Sequence, residues 1–191
     1  INIHADETVN LQGTLLAQGG KVSGNGGTIN TTANGVVQVA DTAVVKAGVR
    51  GASGQVGSWN MSAGALNVDR TNAGVISNAL NQNNVNIKVS TAACAAAGNC
   101  AVISDNNLTP GQLVVAQDAV INKTSPVLTN LVLEASHSPQ VQTKVLVDGQ
   151  VISTELSPLT LQILSDNLVE IRQNAALQAA KIEVISENGL Y

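Results

Sequence analysis

Phenylalanine is absent from this 191-residue chain, and its only aromatic residues are Trp59 and Tyr191. A compact globule usually anchors its core on a few large rings. Here the core has to be filled by many small aliphatic contributions, which favours a thin, repetitive architecture. Charge is scarce as well: Asp, Glu, Lys and Arg make up 12% of the residues, against roughly 25% in a typical soluble domain. The net charge of −4 comes without any basic cluster, so nothing offers an electrostatic footprint for nucleic acid or an anionic lipid surface. No apolar run approaches the ~20 residues that a helix needs to cross a bilayer, and no membrane insertion is expected.

Catalytic signatures are missing too. There is no GxSxG, no phosphate-binding loop and no calcium-binding nonapeptide. Gly24-Asn25-Gly26-Gly27 lacks the Lys-Ser/Thr that a phosphate cradle requires and reads as a turn. The acidic residues are scattered, and the one adjacent pair, Asp6-Glu7, points to opposite faces if extended. His4 and His137 have no partner in a triad-like setting, and His137 lies in a loop-like Ser-His-Ser-Pro stretch. No cofactor, metal site or enzymatic activity is expected. Lone Trp59, bordered by glycine, reads as a packing residue over the end or side of the structure; sugar stacking is its less favoured reading, because sugar sites normally recruit several aromatics.

Two cysteines, Cys94 and Cys100, stand in CAAAGNC. Zinc is disfavoured, since both histidines are remote and no second Cys pair exists. Two buried thiols remain an alternative. A small disulfide loop fits better and implies an oxidising compartment. Asn30, Asn60, Asn107 and Asn122 each begin an N-x-[ST] triplet, a pattern that chance supplies freely in so Asn- and Thr-rich a chain.

What the chain does have is Val, Ile, Leu and Ala interleaved with Asn, Gln, Thr, Ser and Gly. Short alternating runs recur at Ile1-Asn2-Ile3, Val37-Gln38-Val39, Leu66-Asn67-Val68, Val85–Val89, Leu131–Leu133, Val145–Val147, Leu161–Ile163 and Ile182–Val184. Each reads as a strand of three to five residues with one face inward. Turn formers separate them, and Asn34-Gly35 and Asp148-Gly149 are candidate hairpin closures. The best helical candidate is the Ala-rich stretch Asn174 to Lys181; no long helix is expected. Steps of 18 (Leu113 to Leu131) and 21 (Leu161 to Ile182) fall near the repeat length of coil-type solenoids, which at ~20 residues per coil gives about nine coils. The expected fold is all-β: a right-handed parallel β-helix with short strands and loop excursions.

From Gly19 to Ala92 the order of elements resembles the filamentous-haemagglutinin group of two-partner-secreted bacterial exoproteins. The features that carry the resemblance are Gly26-Gly27-Thr28-Ile29, Val39-Ala40-Asp41, Gly57-Ser58-Trp59-Asn60 and Asn84-Val85-Asn86-Ile87. The second half is similar only through strands such as Leu113–Ala116 and Leu131–Ala135. Where that group often carries Asp-Pro after the Trp segment, this chain has Ser62-Ala63-Gly64. The resemblance implies a right-handed parallel β-helix exported by an outer-membrane two-partner-secretion transporter and displayed at the bacterial cell surface or secreted.

Residues 1–191 then read as one β-helix segment excised from a larger exoprotein, with a sub-boundary near residues 92–110. The chain opens on INIHADE, with neither an initiating Met nor a signal peptide. The expected role is structural or adhesive, in cell adhesion or biofilm cohesion, toward a host-cell, bacterial-cell or matrix ligand. Receptor binding by a contact-dependent inhibition or ligand-capturing relative is the alternative, and a polysaccharide-active β-helix enzyme a remote one. Recognition is expected on loops carrying Arg50, Gln55, Asn99 and His137. Exposed sheet edges at the ends invite end-to-end self-association.

Overall fold

A computed structural model describes residues 1–90, 108–136 and 142–191. The first pass of the chain runs through β1 (Asn2–Ala5), β2 (Thr8–Leu11) and β3 (Thr14–Leu16). The second runs through β4 (Thr28–Ala33), β5 (Val36–Val39) and β6 (Val44–Lys46). The third has β7 (Ser58–Ala63) and β8 (Leu66–Val68), followed by a helix, α1 (Arg70–Leu80). The fourth comprises β9 (Asn84–Ser90), β10 (Gln112–Val115) and β11 (Val120–Asn122). The fifth comprises β12 (Thr129–Ser136), β13 (Lys144–Val147) and β14 (Gln150–Ile152). Then come β15 (Leu159–Ser165), β16 (Leu168–Ile171), β17 (Ala176–Gln178) and β18 (Lys181–Ser186).

The first strand of every pass joins one seven-stranded sheet, ordered β1-β4-β7-β9-β12-β15-β18. Second strands form a four-stranded sheet (β16-β13-β10-β8) and the pair β2-β5, and third strands form β11-β14-β17 and the pair β3-β6. The chain is mostly β, and every strand pairing among the described residues is parallel. The two hairpin candidates therefore do not close hairpins. At Asn34-Gly35 the chain leaves β4 for β5, which pairs with β2 instead. Gly35 is needed there for a close approach: a Cβ on it would lie 2.4 Å from the Glu7 carbonyl oxygen.

Parallel pairing in register turns the alternation of each short strand into columns. One inward column of the large sheet reads Ile3, Thr31, Met61, Ile87, Leu133, Ile163, Val184. Its neighbour contains Ile29, Trp59, Val85, Leu131, Leu161 and Ile182. From Trp59 to Leu161 that second column is completely excluded from solvent. Such stacking at the interstrand distance of ~4.8 Å explains how a core forms without large rings.

Two expectations about period are corrected. Leu113 lies in β10 and Leu131 in β12, two different sheets, so the step of 18 is no repeat. The step of 21 is real, since Leu161 pairs with Ile182, but Ile29 pairs with Trp59 and Leu131 with Leu161, thirty residues on. Longer steps mean fewer passes: the large sheet has seven strands rather than nine.

The helix is also elsewhere than expected. Residues 176–178 and 181–186 are strands β17 and β18, because they pair with β14 and β15. The helix that exists, α1, starts at Asp69, whose carboxylate accepts from the Thr71 and Asn72 amides at 2.8 and 3.1 Å, a regular N-cap. Ala73, Val75, Ile76, Ala79 and Leu80 are buried, the i, i+3, i+4 stripe of an amphipathic helix. It packs against β6 on one side and β11 on the other, filling the interval between the two third-strand sheets.

A helix consumes its own backbone hydrogen bonds and offers none to a neighbouring strand. Side chains take over. Ser77 Oγ accepts the Asn122 amide at 2.9 Å, and Asn81 Oδ1 accepts the amides of Thr124 and Ser125, both at 2.9 Å. Asn83 Oδ1 accepts the Ala47 amide at 3.1 Å, and Asn84 Oδ1 accepts the Asn130 amide at 2.9 Å.

Candidate functional site

Among the described residues, two glycine-rich connections, residues 17–27 and 47–57, lead into β4 and β7. They lie one on the other. The amides of Gly19, Gly24 and Gly26 donate to the carbonyls of Gly48, Ser53 and Gln55, and Ala52 donates to Val22. The Gln55 amide is held by Asn25 Oδ1 at 2.9 Å. Behind this pairing is an internal repeat of thirty residues that the sequence reading missed: Ser23-Gly24-Asn25-Gly26-Gly27-Thr28 against Ser53-Gly54-Gln55-Val56-Gly57-Ser58. Its signal was the spaced Ser-Gly-Asn/Gln motif. At the base the layers touch so closely that a Cβ on Gly26 would sit 1.8 Å from the Ala47 carbonyl oxygen and 2.5 Å from the Gly57 nitrogen.

Arg50 and Gln55 are both exposed on the second of these two layers, residues 47–57. Val22, on the first layer, is 84% exposed. The remaining candidate loop residues, Asn99 and His137, lie outside the described residues, as do Cys94, Cys100 and most of the 92–110 boundary region. Trp59 sits within the core of the large sheet rather than over an end or side. It is fully buried, with its indole N–H donating to Thr31 Oγ1 at 3.1 Å, so its ring presents no face to a sugar.

On the outer face of the large sheet, a ladder of side-chain amides runs across four strands. Asn30 Nδ2 donates to Asn2 Oδ1 at 2.6 Å, Asn60 to Asn30 at 2.8 Å and Asn86 to Asn60 at 2.7 Å. Two of the N-x-[ST] asparagines, Asn30 and Asn60, are thus engaged in this ladder.

Charged residues that are far apart in sequence meet on the four-stranded sheet. Lys144 bonds Glu170; Arg172 bonds Glu170 at 3.0 Å and approaches Asp148 at 3.5 Å; Asn174 donates to Asp148 at 3.3 Å. The Lys144 ammonium first, then Arg172, holds the Glu170 carboxyl below its ordinary range, while Glu170 raises the Arg172 guanidinium. Both shifts lock the charged forms in place. A general acid or base needs a pKa near the working pH, and this network moves both groups away from it.

One further charge was invisible in the sequence. Lys123 is 1% exposed, its ammonium donating to the Ser125 carbonyl at 2.6 Å; burial lowers its pKa. Among the described residues, no group of three or more His, Cys, Asp or Glu is placed to hold a metal ion.

No family model, curated protein or solved structure matches the chain.

Proposed function

We propose that this chain is a structural, adhesive segment of a large secreted bacterial surface protein of the filamentous-haemagglutinin type, wound as a right-handed parallel β-helix. The observation that carries the reading is the seven-fold return of the chain to one parallel sheet in continuous register. A rod made this way is stiff and extensible by repetition, and it displays loops at intervals along its length. Solvent-excluded columns and an outer amide ladder suit a part that bears load and presents surfaces. Export through an outer-membrane partner and display on the cell surface follow from the family resemblance.

An antibody raised against the folded chain tests this. It labels intact cells of the producing bacterium or their medium, and beads coated with the chain retain host or bacterial cells. Antigen confined to the cytosol overturns the reading.

The stacked connections at residues 17–27 and 47–57 favour a second reading, that the segment itself recognises a receptor through exposed Arg50 and Gln55. Arg50→Ala with Gln55→Ala then abolishes cell retention by the beads while leaving the circular dichroism spectrum unchanged. If retention survives the double substitution, the loops are bystanders.

A further inference from the structure

We propose that residues 73–77 form a conformational switch: held as part of α1, they also close as a strand between β6 and β11. β6 is the edge of the pair β3-β6, and β11 is the edge of β11-β14-β17. These edges belong to the second and fourth passes, and the large sheet carries a single strand, β7, between β4 and β9 of those passes. The slot that α1 fills is therefore one strand wide.

The segment carries the residues of that missing strand. A small residue opens each third-strand run (Gly13, Ala43, Ala119, Gly149, Ala175), and a core-facing aliphatic follows two positions on (Leu15, Val45, Ile121, Val151, Leu177). Ala73-Gly74-Val75-Ile76-Ser77 fits the same pattern. Val75 stands thirty residues after Val45, the step that also joins Leu15 to Val45. Chain length fits as well. Residues 69–72 then lead in from β8 and 78–83 lead out to β9, one residue more at each end than 116–118 and 124–128 in the next pass.

Opposed terms set the balance. As a helix, the segment keeps Ile76, Ala79 and Leu80 buried. Asp69 caps it, and Ser77 Oγ donates to the Ala73 carbonyl at 2.7 Å while accepting the Asn122 amide. As a strand, it turns Ile76 outward beside Lys46 and Asn122 and gives up the burial of Leu80. In return it pairs two open sheet edges, whose backbone groups otherwise rely on side-chain substitutes. Gly74 weakens the helical form from within: it is exposed, and nothing lies within 4 Å of where its Cβ would stand, so no close contact requires a glycine there. The inference rests on register and repeat, independently of the adhesive reading.

Nuclear magnetic resonance of the whole chain tests it, since helix and strand displace the Cα carbon shifts in opposite directions from random coil. Asp69→Ala removes the cap and raises the strand-to-helix ratio about fivefold. Adding Gly74→Val supplies the residue found at Val44 and Val120 and raises the ratio about threefold more. In this double variant the shifts of residues 73–77 move from helical toward strand values, while those of β7 and β9 stay in place. In Asp69→Ala alone, relaxation dispersion confined to residues 69–81 reports a minor form with strand-type shifts. Asn78→Ala, outside the run and favourable to helix, lowers that population about threefold when added to Asp69→Ala. Helical shifts retained in the double variant overturn the proposal. So do random-coil shifts, because then the helix has only unravelled. If the double variant does not fold, Asp69→Ala decides: no dispersion, or a minor form with random-coil shifts, overturns the proposal equally.

Discussion

Across β1, β4, β7 and β9 the outward residues at the centre of the large sheet are Asn2, Asn30, Asn60 and Asn86, joined by amide bonds. Across β12, β15 and β18 the same column continues as Val132, Gln162 and Glu183. From the β9–β12 junction onward ions do the fastening: Lys88 with Glu134 at 2.6 Å on the large sheet, and on the four-stranded sheet Lys144 with Glu170 and Arg172 with Glu170 and Asp148. The register is the same and its outer fastening differs. Neutral amides pair by matching a donor to an acceptor at each step and are indifferent to salt and to mild acid. Ion pairs are partly solvated and sensitive to both. Among the described residues, the first half also carries two features that interrupt regular strand stacking, the paired connections and α1, whereas the second half runs without a helix.

The sharpest way to break this comparison is at the base of the paired connections. Gly26→Ala drives a Cβ into the Ala47 carbonyl and the Gly57 amide, and it should destabilise the chain by about 3–5 kcal/mol. Urea unfolding measures this; a loss below ~1 kcal/mol would show that the connections are not tightly layered. Next comes the helix adaptor. Asn81→Leu keeps the volume of the side chain but leaves the Thr124 and Ser125 amides without an acceptor. Water can reach the Thr124 amide, so the loss should be about 1–2 kcal/mol, and hydrogen exchange should show those two amides losing protection first.

Lys123→Met sharpens the contrast between buried and surface charge, and it acts in the opposite direction. Replacing a buried ammonium with an apolar chain of similar length should stabilise the protein by about 1–2 kcal/mol near neutral pH. The sign follows from the lowered pKa. The unfolded chain binds the proton more tightly than the folded one, so parent stability rises with pH up to the ordinary lysine range near about 10 and falls as pH drops through the folded value. The gap between variant and parent should therefore close on the alkaline side. A gap constant with pH would mean that Lys123 is solvated.

The smallest effect is expected from Glu170→Gln. Its folded-state pKa is depressed by Lys144 and Arg172, so its contribution is present above the ordinary carboxyl range and lost as pH falls through the folded value. Being partly exposed, it should be worth less than ~1 kcal/mol and fade with salt. If parent and variant respond identically to salt, the ionic fastening of the second half is decorative.

Much of the strand pattern was legible from the residues. Val85 to Val89, Leu131 to Leu133, Leu161 to Ile163 and Ile182 to Val184 all lie in strands of the large sheet, since alternation is a local property and a parallel neighbour only reinforces it. The helix was not legible. Asn72, Gly74 and Asn78 dilute the apolar stripe of α1, while the Ala-rich residues 176–178 look helical yet are recruited as a strand by β14. Propensity yields there to a sheet edge waiting to be paired. Of the candidate site, the glycine-rich connections and Arg50 could be found by inspection. The burial of Lys123 and the meeting of Lys144, Asp148, Glu170 and Arg172 could not, because both depend on which strands lie side by side.

The amino-acid sequence on its own determined that this core is built of small aliphatic side chains in short alternating runs. Composition and period are carried residue by residue, and no fold is needed to read them. Tertiary structure alone decided the steps between layers, the place of the helix, the depth of Trp59 and Lys123, and which charges meet. Each of those depends on strand register, a relation between residues twenty-one to forty-seven positions apart that no local pattern encodes.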